Sequence, residues 1–170
     1  MIGVVVLIGL MGAGKTTVGR LLSDRLGIRH VDLDDAVEAL DGRTVAQIFA
    51  SDGEAAFRRV ERAALVKVLS EGPCVLSTGG GVVENEENRD DLRAAGVVVW
   101  LDAPVAVLAE RVSGSADRPL LAGGASDSLA RLDARRRGWY ESVAHVSVDT
   151  AGLAPSEVAA RVAAVVAEAT

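Results

Sequence analysis

The sequence predicts an α/β fold, a five-stranded parallel sheet with helices on both faces. Short apolar runs alternate with amphipathic stretches of helical period along all 170 residues. The first run, Val4-Val5-Val6-Leu7-Ile8, lacks polar alternation, as a strand buried on both faces should. It leads straight into a glycine-rich turn and then into Thr17-Val18-Gly19-Arg20-Leu21-Leu22, which reads as the start of a helix.

Further strands are expected over 28–32, 74–78, 97–101 and 145–149. The stretch 54–70 places Phe57, Val60, Ala64, Leu65 and Val68 on one helical stripe. Asn85 should cap a helix reaching Ala95, with Gly96 ending it. Pro104 and Pro155 each fit the first turn of a helix, and the last helix, 155–168, should bury Val158, Val162, Val165 and Val166. Two stretches break the rhythm. Residues 34–56 read as two short helical pieces split by Asp41-Gly42. Residues 113–126 form a glycine-rich segment around Arg118-Pro119-Leu120-Leu121, long enough to be either a functional lid or unstructured chain.

The whole chain, 1–170, is expected to be one domain with a real core, given 49% hydrophobic and 25% charged residues. A net charge of −6 argues against nucleic acid as the main partner. The longest apolar run, Val4 to Met11, falls well short of the ~20 residues of a membrane span. Met1-Ile2-Gly3 leaves no room for a targeting segment, and the lone Cys74 suits a reducing compartment, so a cytoplasmic protein is expected. Cys74 reads as a small core residue.

Gly9-Leu10-Met11-Gly12-Ala13-Gly14-Lys15-Thr16 matches G-x-x-x-x-G-K-[ST], the phosphate-binding P-loop, at every fixed position. Glycines let successive N–H groups point at a phosphate chain, and a helix opening at Lys15 adds its positive dipole end. Lys15 suits the terminal phosphates and the Thr16 hydroxyl suits magnesium (Mg²⁺). Asp32 and Asp34, alternating at the end of the second strand, should point together toward the P-loop mouth. One could then hold the water shell of Mg²⁺ while the other takes a proton from an acceptor hydroxyl; alternatively, both only cap the following helix. Gly79-Gly80-Gly81 costs folding entropy, which close approach of backbone to a ligand would justify better than a plain turn.

Other features read as bland. Arg58, beside Glu54 and Glu61, and Arg135-Arg136-Arg137 look like solvated helical charges. His30 and His145 lack metal-ligand spacing, and Trp139 and Tyr140 look like packing residues. Asp32 and Asp102 both qualify as a Walker B aspartate. A small GTPase is excluded: there is no N-K-x-D, and only one helix follows Asp149-Thr150-Ala151-Gly152.

In order and spacing, the P-loop, Asp32-Leu33-Asp34, Phe57-Arg58-Arg59-Val60-Glu61, Gly79-Gly80-Gly81, Arg118-Pro119-Leu120-Leu121, and Arg136 four residues before Tyr140 resemble the shikimate kinase family over essentially the whole chain. The resemblance implies a nucleoside-monophosphate-kinase-like P-loop fold. It also implies transfer of the γ-phosphate of ATP to the 3-hydroxyl of shikimate, on the route to chorismate and the aromatic amino acids. The implied shikimate-binding segment is 33–60 and the implied lid 113–126. Gly12, Ala13, Gly14, Lys15, Thr16 and Thr17 would hold the phosphates, with Thr16 and Asp32 on Mg²⁺. Asp34 would orient or deprotonate the attacking hydroxyl, Arg58 and Arg136 would clamp the carboxylate, and Gly79, Gly80 and Gly81 would offer N–H groups. Arg118 would stabilise the transferring phosphoryl group, and Arg111 and the segment near Pro155 would hold adenine. A monomer binding only ATP and shikimate is expected. Gly138 and Trp139 depart from the more usual Pro and Leu, and Leu153 stands where relatives often carry a basic residue. The competing readings are a gluconate or nucleoside-monophosphate kinase, or a nucleotide-binding regulator without catalysis.

Overall fold

A computed structural model describes residues 3–113 and 124–169. Its centre is β1 (Val4–Ile8), every residue of which is buried. It lies between β3 (Cys74–Ser77) and β4 (Gly96–Asp102), with β2 (Arg29–Asp32) and β5 (Val146–Asp149) at the edges. The order is β2-β3-β1-β4-β5 and every pairing is parallel. This explains the composition of the strands. The central Val-Val-Val-Leu-Ile run is covered on both sides, whereas the edge strands Arg-His-Val-Asp and Val-Ser-Val-Asp keep partly exposed polar positions.

Helices α1 (Lys15–Leu26) and α7 (Pro155–Glu168) pack together on one face. On the other lie α4 (Glu86–Ala95) and α6 (Ala125–Val143), with α5 (Val105–Val112) against α6. The inserted segment gives α2 (Leu33–Asp41), which ends at Gly42, and α3 (Val45–Ser70). Thr44 and Gln47 form a capping box at the start of α3. Gly53, with φ 82° and ψ 177°, is non-helical and breaks α3 at a kink, so the second expected short piece and the long helix from Glu54 are two helical segments that meet there. Asn85 caps α4 by accepting from the Asn88 amide. Gly96 ends that helix at Ala95, as expected, and is at once the first residue of β4, opposite Val4, where its missing side chain lets the Val4 carbonyl approach. Pro155 opens α7 as expected, while Pro104 sits one residue earlier than expected, as the cap of α5. No described helix is long and apolar enough to cross a membrane.

In-register pairing brings the carboxyl ends of β1, β2 and β3 side by side: Leu7 and Asp32 each lie opposite Ser77. Ligands of open parallel sheets bind at this rim.

Candidate active site

The P-loop leaves β1 and turns into α1 through Gly12 and Gly14, with φ values of 81° and 88° that a side chain would oppose. Gly14 caps α1 without any side-chain bond, so the helix start offers its amides to an anion. Lys15 Nζ donates to the carbonyls of Gly9 at 2.8 Å and Leu10 at 3.0 Å, folding back over its own loop. Ala13 is buried and its N–H donates to the Leu10 carbonyl, so it supports the loop and does not line the cavity.

Asp32 caps the following helix, one of the two readings of the sequence, and its second oxygen faces the P-loop. Its Oδ1 accepts the Asp34 amide at 3.0 Å, capping α2, and its Oδ2 accepts from the Thr16 hydroxyl at 2.6 Å. Asp34 reaches the same mouth by a different path from the one expected. The chain has already left the strand, and Asp34 occupies the first turn of α2. Burial raises its pKa and neighbouring Asp32 adds to the rise; Lys15 pulls the other way. The rival Walker B residue, Asp102, is engaged by Arg137 at 3.0 and 3.1 Å and lines a separate depression.

Beyond the P-loop the same cavity, about 540 Å³, continues between α2, α3 and the Gly79–Gly81 turn. Thr16, Thr17, Asp32 and Asp34 line its mouth; Arg58, Gly79 to Gly81 and Arg136 line its far half, with Phe49 and Phe57 as apolar wall. Arg58 lies over the Phe57 ring and donates to Glu61 at 2.9 and 3.1 Å and to Glu54 at 3.2 Å. Glu61 is 1% exposed; burial pushes its pKa up and Arg58 offsets part of that.

The three successive arginines are not one solvated face. Arg135 has a side chain 59% exposed, but that of Arg136 is 1% exposed. Its Nε and Nη2 donate to Glu84 Oε1 at 2.8 Å, and its Nη1 has no partner although it is buried beside Gly80. Tyr140 also does more than pack: its hydroxyl donates to the Gly80 carbonyl at 2.6 Å and so fixes that peptide. Trp139 is partly buried beneath Arg89. Cys74 is buried, as expected of a core thiol.

Arg111 lines the P-loop side of the cavity. It donates to the Gly12 carbonyl at 3.1 Å and to the Thr150 hydroxyl and carbonyl at 3.0 and 2.9 Å. Pro155 is not brought to the cavity: it is exposed as the opening residue of α7. Arg118 and most of the expected lid lie outside the described residues. Glu61 and Glu84 hold the two site arginines, yet sequence reasoning did not single them out as site residues. Glu61 left a trace in its spacing from Arg58, whereas Glu84 meets Arg136 only through folding across 52 residues.

The Thr16 hydroxyl and Asp32 carboxylate make an oxygen-only pair beside the phosphate loop, which suits Mg²⁺. No group of three His, Cys, Asp or Glu residues that could hold a metal ion occurs among the described residues.

The shikimate kinase family model matches residues 11–167. A shikimate kinase of Symbiobacterium thermophilum is 49% identical over 151 residues, 86% of each chain. One from Thermobifida fusca is 44% identical over 158 residues, 93% of this chain and 91% of the relative. The solved structure of Acinetobacter baumannii shikimate kinase in complex with shikimate superposes with a TM-score of 0.95 at 35% identity, covering 99% of this chain and 94% of that one. With the parallel sheet, the P-loop and the arginine-lined cavity in place, these matches show that the chain belongs to the shikimate kinase family, ATP-dependent kinases of shikimate.

Proposed function

We propose that this cavity transfers the γ-phosphoryl group of ATP to the 3-hydroxyl of shikimate, with the roles divided among the residues as follows. The observation that carries the assignment is the joining of a phosphate loop, a half-buried carboxylate and two arginines in one cavity. The backbone of Gly12 and of Gly14 to Thr17, at the start of α1, holds the phosphates. Lys15 exchanges the Gly9 and Leu10 carbonyls for phosphate oxygens. Thr16 and Asp32 hold Mg²⁺, which when bound neutralises charge on the phosphates. Arg58 and Arg136 meet the shikimate carboxylate, while the Gly79–Gly81 amides face the ring. Asp34 accepts the proton of the attacking hydroxyl as its oxygen bonds to the γ-phosphorus and the bond to the β-phosphate oxygen breaks. Its raised pKa brings it closer to the basicity such a step needs. Arg111 borders the nucleoside, and Arg118 in the 113–126 lid adds charge at the transferring group. The unit is a monomeric single domain, 1–170, with 33–60 as its acceptor-binding segment, and works in the cytoplasm.

Measuring transfer from ATP to shikimate, gluconate and AMP side by side tests the acceptor. Shikimate should react and the others should not; inert shikimate beside a reactive rival overturns the proposal. Arg136→Leu should raise KM for shikimate and leave KM for ATP within about twofold, since each charged hydrogen bond contributes about 1.5–3 kcal/mol. A selective loss of ATP binding would misplace Arg136.

A further inference from the structure

We infer that Glu84 is a positioning residue for the acceptor's carboxylate, acting through Arg136; this rests on the carboxylate clamp proposed above. A guanidinium buried to 1% exposure needs a counter-charge, and Glu84 supplies it. The way it does so is selective. One carboxylate oxygen takes Nε and Nη2 of Arg136, and the other takes Arg135 Nη2 at 2.6 Å. Nη1 is left buried and unpaired, 3.1 Å from where a side chain on Gly80 would begin. Buried charged donors are rarely left without an acceptor, so this atom marks where an oxygen of the acceptor arrives.

Glu84 also locks Arg136 to the glycine turn. It closes the short 3-10 turn Val82–Glu84, in which its amide donates to the Gly81 carbonyl at 3.1 Å. Arg89 holds the Val83 and Glu84 carbonyls at 2.7 and 3.3 Å, and Asn88 holds that of Val82 at 3.0 Å. The Gly79–Gly81 amides and the carboxylate that aims Arg136 thus belong to one braced unit. Their spacing is preset before any acceptor enters, which lowers the cost of ordering on binding. Glu84 itself does not line the cavity.

The test is steady-state kinetics of Glu84→Ala, Glu84→Gln and Arg135→Ala with two acceptors, shikimate and its methyl ester. Glu84→Ala should raise KM for shikimate about tenfold, with kcat less affected and KM for ATP unchanged. Glu84→Gln keeps an acceptor for Arg136 and should show a smaller rise, about threefold; it carries the test if the alanine variant fails to fold. On the ester, which offers no carboxylate to Nη1, the Glu84 effect should largely vanish. Arg135→Ala should behave as the unaltered protein. A wild-type KM for shikimate in both Glu84 variants overturns the inference, as does a lowered one or an equal factor on both acceptors. Unaltered protein that uses ester and acid equally well overturns the carboxylate clamp itself, and this inference with it.

Discussion

Gly81→Ala separates the placement of Arg58 from its chemistry. Gly81 has φ −91° and ψ 2°, which alanine tolerates, so the backbone need not move. The added methyl would instead land on the Arg58 guanidinium. It would overlap Nη2 and stand 2.6 Å from Cζ and 2.7 Å from Nη1. The side chain must give way, and its tethers are unequal. The Glu54 pair is exposed and costs about 0–1 kcal/mol to break, whereas Glu61 is 1% exposed and losing that pair costs about 3–5 kcal/mol. Arg58 should therefore slide away from Gly81 while keeping Glu61, at an overpacking cost of about 1–3 kcal/mol in stability. If the slide removes one charged hydrogen bond to the acceptor, about 1.5–3 kcal/mol is lost, or roughly 10- to 150-fold in kcat/KM for shikimate. The assay is a cycle of Gly81→Ala, Arg58→Leu and the double variant, with shikimate and ATP each varied. Both single changes should act mainly on shikimate, and the double should be no worse than Arg58→Leu alone, because each removes the same contact. Fully additive losses, or an unaltered KM in Gly81→Ala, would refute the assigned role of Arg58.

Two further outcomes are expected. Lys15→Ala should abolish turnover while leaving the thermal unfolding midpoint within a few degrees, since Lys15 is partly exposed at the cavity and is no part of the hydrophobic core; near-normal turnover would remove Lys15 from phosphate handling. Asp34 couples stability and rate to pH. Its folded pKa is raised, so between the unfolded and folded values the native state binds more protons, and stability falls as pH rises through that window. Asp34→Asn should thus stabilise the protein at neutral pH, lose that advantage in acid below the ordinary carboxylate range, and cut kcat far more than shikimate affinity. A variant less stable at neutral pH, or one impaired only in affinity, would contradict the buried-base reading.

What the sequence made legible follows from where each feature's cause lies. The P-loop is local, because eight contiguous residues carry its glycines, its lysine and its hydroxyl, and it folds as written. The buried character of β1 likewise shows in its own five residues. Arg136 is the opposite case. Within Arg135-Arg136-Arg137 nothing local separates the middle residue from its neighbours, yet the structure gives the three side chains exposures of 59%, 1% and 37%. The distinction is made by the facing turn: Arg135 and Arg136 both pair with Glu84, but only Arg136 is buried, with its Nη1 beside Gly80. Resemblance to a family singled out Arg136, whereas helical periodicity would have left it in solvent. The same reasoning explains why Glu84 left no sign of its own in the sequence. A carboxylate that follows two valines and precedes a helix cap looks like any surface acid, and it becomes part of the site only when α6 crosses the glycine turn. The phosphate-loop motif is thus readable from one stretch of chain. The contacts that hold Arg58, Arg136 and the glycine turn emerge only from packing, and it is through packing that this cavity sets the spacing between its glycine-turn backbone and its guanidinium groups.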